Sequence, residues 1–113
     1  MEIRRMGGDD DNLVLKVFGR ISQNGFVENP EPLDEFLPES EEKIPKTVRI
    51  DLSESDFIDS SGIGWLIRCH HRISAAEGSL VLHAPTPNVA RSFKLLKLER
   101  VLRIDPNPYP LTS

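Results

Sequence analysis

Residues 51–66 read Asp51-Leu52-Ser53-Glu54-Ser55-Asp56-Phe57-Ile58-Asp59-Ser60-Ser61-Gly62-Ile63-Gly64-Trp65-Leu66, a strand pattern that passes through an acidic loop into a helix. Upstream of the loop, Thr47 to Leu52 alternates, with Val48, Ile50 and Leu52 on one side, as a strand with one polar face does. Asp59-Ser60-Ser61-Gly62 then sets a carboxylate and two hydroxyls directly before a helical apolar period, the composition of a helix N-terminus. The helix is expected from Ser61 to Glu77, with Gly78 as its stop. Ile63, Leu66, Ile67, His70 and Ile73 form its expected buried stripe, flanked by Trp65 and Cys69.

Downstream, Ser79 to Ala84 reads as a second strand. Strand, helix and strand in this order imply a right-handed crossover and a parallel pair. Thr86-Pro87 opens a second helix with a cap and a first-turn proline, and Val89, Phe93, Leu96 and Leu95 are its expected buried residues. Val101 to Ile104 is a last short strand, and residues 106–113 form a proline-rich tail in which Tyr109 makes a loose contact. Upstream, Ile3 to Met6 and Leu13 to Phe18 flank a glycine- and aspartate-rich turn and predict a hairpin, with Leu13, Leu15 and Val17 facing the core. Prolines 30, 32, 38 and 45 break residues 20–46, leaving room for one short helix over Pro32 to Leu37 and a solvated acidic loop after it. The elements sum to a single domain over 1–113, a small α/β sandwich. Its mixed sheet has an N-terminal antiparallel hairpin and parallel later strands, with helices mainly on one face.

A chain of 113 residues is one domain by length. Its net charge of -4, with both signs mixed along the chain, argues against direct nucleic-acid binding or a basic membrane-facing surface. No apolar run reaches the length of about 20 residues that a membrane span needs, and the N-terminus lacks a signal-peptide pattern, so a cytoplasmic protein without membrane insertion is expected. The lone Cys69 excludes an internal disulfide and reads as a structural thiol. His70 and His71, adjacent on a helix, point about 100° apart and make a poor chelating pair, so no metal is expected.

Ser60 is the residue on which function is expected to turn. The first turn of a helix carries N–H groups without intrahelical partners and roughly half a positive charge. A phosphate on Ser60 would meet those donors, so modification need not unfold the domain. It would also join Asp59, Asp56, Glu54 and Asp51 in a dense negative patch that a partner for the neutral hydroxyl would reject. Plainer roles stand beside this one. Ser60 or Asp59 could simply cap the helix, Gly62 and Gly64 could serve close packing or local mobility, and Trp65 could be core, rim or an anchor for a partner. A serine hydrolase with Ser60 as nucleophile is a distant alternative, because the gly-x-ser-x-gly elbow is missing.

The chain resembles a STAS domain of the bacterial anti-sigma factor antagonist type. The resemblance lies in Val17-Phe18-Gly19, Ile50-Asp51-Leu52, Phe57-Ile58-Asp59-Ser60-Ser61-Gly62-Ile63-Gly64, Gly78 to Leu82, Pro87-Asn88-Val89 and Leu98 to Leu102. It implies a regulatory binding protein, not an enzyme, with no cofactor of its own. Its partners would be an anti-sigma factor that doubles as a serine kinase and a PP2C-type phosphatase. By the same resemblance Ser60 is the phosphoacceptor, and Asp59, Ser61, Gly62, Ile63, Trp65 and Ser22 belong to the partner-binding surface. The alternative within the fold is an unphosphorylated scaffold subunit of a signalling or lipid-transport complex. Two positions depart from the family pattern: Ser22 stands where an acid is usual, and Lys97 where glycine is common.

Overall fold

In a computed structural model that describes residues 1–27 and 29–109, the elements run β1 (Glu2–Gly8), β2 (Asn12–Phe18), β3 (Thr47–Glu54), α1 (Ser60–Ala75), β4 (Ser79–His83), α2 (Pro87–Leu95) and β5 (Arg103–Asp105). The strands form one sheet in chain order, β1 antiparallel to β2 and every later neighbour pair parallel. Each parallel pair needs a crossover. Residues 19–46, α1 and α2 supply them in turn, and all three put side chains into the same core cluster, so the crossovers cover one face of the sheet.

Strand parity builds that core. Leu13, Leu15, Val17, Val48, Ile50, Leu52, Leu80 and Leu82 point into it from β2, β3 and β4, and Leu33, Leu37, Trp65, Leu66, Ile73, Val89 and Phe93 close it from the other side. The helix expected over Pro32 to Leu37 is a single 3-10 turn, Pro32–Glu35, since Pro38 lies too close for a second turn to form. The hairpin turn is tighter than its composition indicated. The Asp9 carboxylate accepts from the N–H groups of Asp11 and Asn12, which closes the turn at once and lets both strands extend to it.

The buried stripe of α1 is rotated from the expected one: Gly62, Trp65, Leu66, Cys69 and Ile73 are buried, while Ile63, Ile67 and His70 are half-buried. The helix also ends two residues early. Glu77 adopts the left-handed conformation (φ 63°), and the N–H of Gly78 bonds to the Ile73 carbonyl at 2.8 Å, that of Glu77 to Ser74 at 2.9 Å. This is a Schellman ending with a glutamate at the position glycine favours. Gly78 serves packing instead, because a Cβ there would lie 3.0 Å from the Lys46 carbonyl oxygen and 2.9 Å from Ile73.

Two expectations for α2 are corrected. Leu95 and Leu96 are 71% and 58% exposed, because the chain turns at Lys97 (φ 54°) before either can reach the sheet; Leu98 and Leu102 are buried after the turn. Thr86 does not cap with its side chain, since its hydroxyl donates to the Ser55 carbonyl at 2.7 Å and ties the start of α2 to the acidic loop. A lysine in the left-handed region is strained where glycine is not, so Lys97→Gly is expected to raise stability by about 1 kcal/mol. A thermal melt should show this as a rise of roughly 4 °C.

The opposite face of the sheet sets Lys16, Arg49, Asp51 and His83 beside the buried Val14 and Val81, and the chain end lies over it. Tyr109 is half-buried, with the Arg49 guanidinium 4.5 Å from its ring centroid and the His83 ring 5.7 Å away, so it is a packed contact and not a loose one. Arg49 Nη1 can only donate, so His83 Nε2 accepts at 3.1 Å and its Nδ1–H donates to the Asn107 carbonyl at 2.9 Å. Residues 110–113, the end of the expected tail, lie outside the described residues.

Candidate functional site

Two loops meet beside the start of α1. The segment after β2 runs alongside the loop after β3: Gly19 N–H bonds to the Glu54 carbonyl, Ile21 N–H to Phe57, and Asp59 N–H to the Ile21 carbonyl. Asp59 is the cap of α1, its Oδ1 accepting from Gly62 N–H at 3.0 Å, while Oδ2 accepts from Gln23 N–H at 3.0 Å. One carboxylate thus joins the helix to the loop that carries Ser22. Burial pushes the Asp59 pKa up, but the N–H donors of Gly62, Gln23 and Ser61 outweigh it, and the group titrates below the ordinary aspartate value. Asp59→Ala is expected to cost about 1 kcal/mol of stability. The parent's advantage should be complete above pH ~5, where the unfolded aspartate is ionised as well, and fade as pH falls through the lowered native value. Paired urea titrations of parent and variant across acid pH measure this.

Because Asp59 does the capping, Ser60 is not the cap. It is the first residue of α1 and exposed. Of the first-turn N–H groups expected to help hold a phosphate on Ser60, that of Gly62 is engaged by the Asp59 side chain and that of Ile63 by the Asp59 carbonyl. A phosphate at the exposed Ser60 would stand beside the Asp59 carboxylate.

Ser22, Asp59, Ser61 and Ile63 are half-buried around Ser60, so the fold gathers these expected surface residues. Gly62 is buried beneath them, and its packing sets how closely α1 approaches Ile21 and Ile58. Trp65 is fully buried against Phe26, 5.7 Å between ring centroids, and so supports the loop from below instead of facing a partner. Its Nε1 has no hydrogen-bond partner among the described residues. Phe57 and Arg20, by contrast, were not singled out from the sequence. Phe57 is 37% exposed and the Arg20 guanidinium lies 4.0 Å over its ring, which gives the site an aromatic and a cationic edge. The signal was parity, since Ile58 points inward and Phe57 must point out. Gly64, four residues after Ser60 and on the same helix face, has no neighbour within 3.4 Å of an ideal Cβ and leaves that face without bulk.

The other candidate groups lie elsewhere. Burial, and then Glu31, push the Cys69 thiol up to about 12, with Arg68 and Arg72 opposing. Cys69 is therefore expected to react with Ellman's reagent at mildly alkaline pH only after unfolding. Burst labelling of the folded protein would contradict that. His70 and His71 sit about 15 Å along α1 from Ser60, and His83 is engaged on the far face of the sheet, so no histidine is placed to activate the Ser60 hydroxyl. Among the described residues no cluster of three or more His, Cys, Asp or Glu could hold a metal ion, and no helix is long and apolar enough to cross a membrane.

A five-stranded mixed sheet with its crossovers on one face and an exposed serine opening the helix after the central strand defines a class of small α/β domain. The chain belongs to the STAS domain family, whose sequence model matches residues 6–109. It is similar to the structure of a putative anti-sigma factor antagonist from Thermotoga maritima, with 26% identity, a TM-score of 0.70, and 86% of this chain and 80% of that one covered. It is also similar to the anti-sigma factor antagonist SpoIIAA in its unphosphorylated form (16% identity, TM-score 0.65, 98% and 90% covered). SpoIIAA of Bacillus in its phosphorylated form aligns at 17% identity, with a TM-score of 0.64 and 91% and 90% covered. At such identities the SpoIIAA matches establish the fold.

Proposed function

We propose that this chain is an anti-sigma factor antagonist-type regulator. Its unphosphorylated form binds a kinase-type anti-sigma factor through the surface around Ser60, and phosphorylation of Ser60 by that kinase ends the complex. A PP2C-type phosphatase would restore the binding form, and the cycle would run in the cytoplasm. The observation that carries this reading is the position of Ser60, exposed at the first place of α1 and relieved of capping by Asp59. A hydroxyl with no structural duty can be modified without unfolding the helix it opens. The similarity to SpoIIAA, described in both unphosphorylated and phosphorylated forms, supports it. Ser22, Asp59, Ser61, Ile63, Phe57 and Arg20 would make the contact surface, with Gly62 and Trp65 holding it in shape.

Tandem mass spectrometry of residues 59–68, on protein purified from its own cells in growth and under stress, tests the proposal. A phosphoryl group on Ser60 whose occupancy differs between the two states is expected. Full coverage without phosphate in either state would sink it and favour the constitutive scaffold.

A further inference from the structure

The net charge of -4 averages over two oppositely charged ends. Residues 91–103 hold Arg91, Lys94, Lys97, Arg100 and Arg103 against the single acid Glu99. All five cations are exposed, and among the described residues none is in a salt bridge; Arg91, Lys94, Lys97 and Arg100 lie on α2 and the turn after it, whereas Arg103 shares the face of Val81 on the other side of the sheet. Between them stand three of the large apolar side chains the fold leaves in water: Leu95 at 71%, Leu96 at 58% and Val101 at 47% exposure. The acids concentrate elsewhere, since residues 28–42 hold seven acids and no base. That acidic segment belongs to the crossover between the interior strands β2 and β3, whereas α2 and the turn after it lead to the edge strand β5.

We propose that the corner formed by the end of α2 and the turn into β5 is a peripheral docking surface for an anionic phospholipid bilayer. Charge complementarity selects the occupant. Four cations within ten residues, Arg91, Lys94, Lys97 and Arg100, match the density that adsorbs to acidic headgroups, and leucines between them reach the acyl boundary while the charges stay at headgroup level. The acidic crossover between β2 and β3, in which Glu31 and Asp34 pair with Arg68 and Arg72 and the other described acids are left over, is repelled by the same bilayer, so the domain is oriented with its β5 edge down. Adsorption leaves the serine site open. The start of α2 is tied to the acidic loop through Thr86 and Asn88, and the helix runs about 13 Å away from it before reaching Leu95.

Flotation of the whole chain with vesicles tests this, using phosphatidylcholine alone and phosphatidylcholine mixed with phosphatidylglycerol, at low and high salt. Partition onto the anionic vesicles at low salt is expected to exceed that onto neutral ones by at least about a hundredfold and to fall steeply with salt. The double variant K94E/K97E should lose at least about tenfold, and L95S/L96S should also bind less. All four side chains are exposed, so an unchanged melting temperature checks that the variants fold. Failure to float with anionic vesicles at low salt overturns the proposal. It is equally overturned if soluble polyglutamate binds as tightly and L95S/L96S floats like the parent, which would assign the corner to an acidic protein segment. Salt-sensitive self-association without vesicles would assign it to the acidic crossover of a second copy and overturn it too.

Discussion

Gly62→Ala is expected to lower the unfolding free energy by about 2 kcal/mol, whereas the same change at Gly64 raises it by roughly 0.5–1 kcal/mol. An ideal Cβ on Gly62 would lie 2.4 Å from the Ile21 carbonyl oxygen, 2.7 Å from Ile58 Cγ1 and 2.8 Å from Ile21 Cγ2. The first of these is backbone and already accepts the Asp59 N–H at 3.2 Å, so it cannot swing aside as a side-chain tip would. Relief requires α1 and the loop after β2 to part. That strains the Asp59 bridge and the support Phe26 gives Trp65. Better helix propensity offsets about 1 kcal/mol and does not reverse the sign. At Gly64 a Cβ meets only the Arg68 guanidinium at 3.5 Å, so the propensity gain stands alone. Melting temperatures should move by roughly 8 °C down and 3 °C up respectively. Equal shifts of one sign would mean that close approach at Gly62 does not govern this junction. Trp65, the only tryptophan, reports on the same place by fluorescence.

The same contrast shows what could be read from the residues alone. Strand parity identified the core faces of β2 and β3, because in a strand the period is two and one buried face settles every other residue. The helix stripes were harder. In α1 the large Trp65 and small Gly62 and Cys69 share a face that a count of aliphatics overlooks, and the stripe was placed one step round. In α2 the period admitted Leu96, but the left-handed turn at Lys97 removes that position from the helix face; lysine gives no such signal where glycine would. Asp59, Ser60 and Ser61 are legible as a helix start from the residues themselves, whereas Ser22 joins them only through the family resemblance. Arg20 over Phe57 and Arg49 over Tyr109 join residues 37 and 60 positions apart, pairings set by which loops the parallel register brings side by side. No local pattern encodes them. The reading of mixed signs holds for the chain as a whole but overlooks residues 28–42 and 91–103, whose opposite charges acquire meaning only when the β2–β3 and β4–β5 crossovers set them apart.

Ser60→Asp is expected to leave the fold intact and weaken binding to a kinase-type anti-sigma factor by roughly a hundredfold, about 2–3 kcal/mol. The two effects separate because they act on different sides of the residue. Toward the helix, a carboxylate at the first position of α1 meets the positive end of the dipole and adds about 0.3–1 kcal/mol, reduced by the adjacent Asp59. Toward the partner, the same charge must lose its water at an interface shaped for a hydroxyl, beside Phe57 and the small face at Gly64. It also stands with Asp59 and Asp56, so the partner meets concentrated negative charge. Ser60→Ala removes the hydroxyl and adds no charge, and should keep affinity within about tenfold while abolishing phosphorylation. Isothermal titration of the three proteins against the cognate kinase, with a thermal melt of each, distinguishes a switch from a fold defect. If Ser60→Asp binds as tightly as the parent and melts no lower, charge at Ser60 is not what ends the complex. If it binds weakly but melts several degrees lower, the loss belongs to the junction at Asp59 and Gly62, and the switch has to be sought in the coupling of that junction to the loop carrying Ser22.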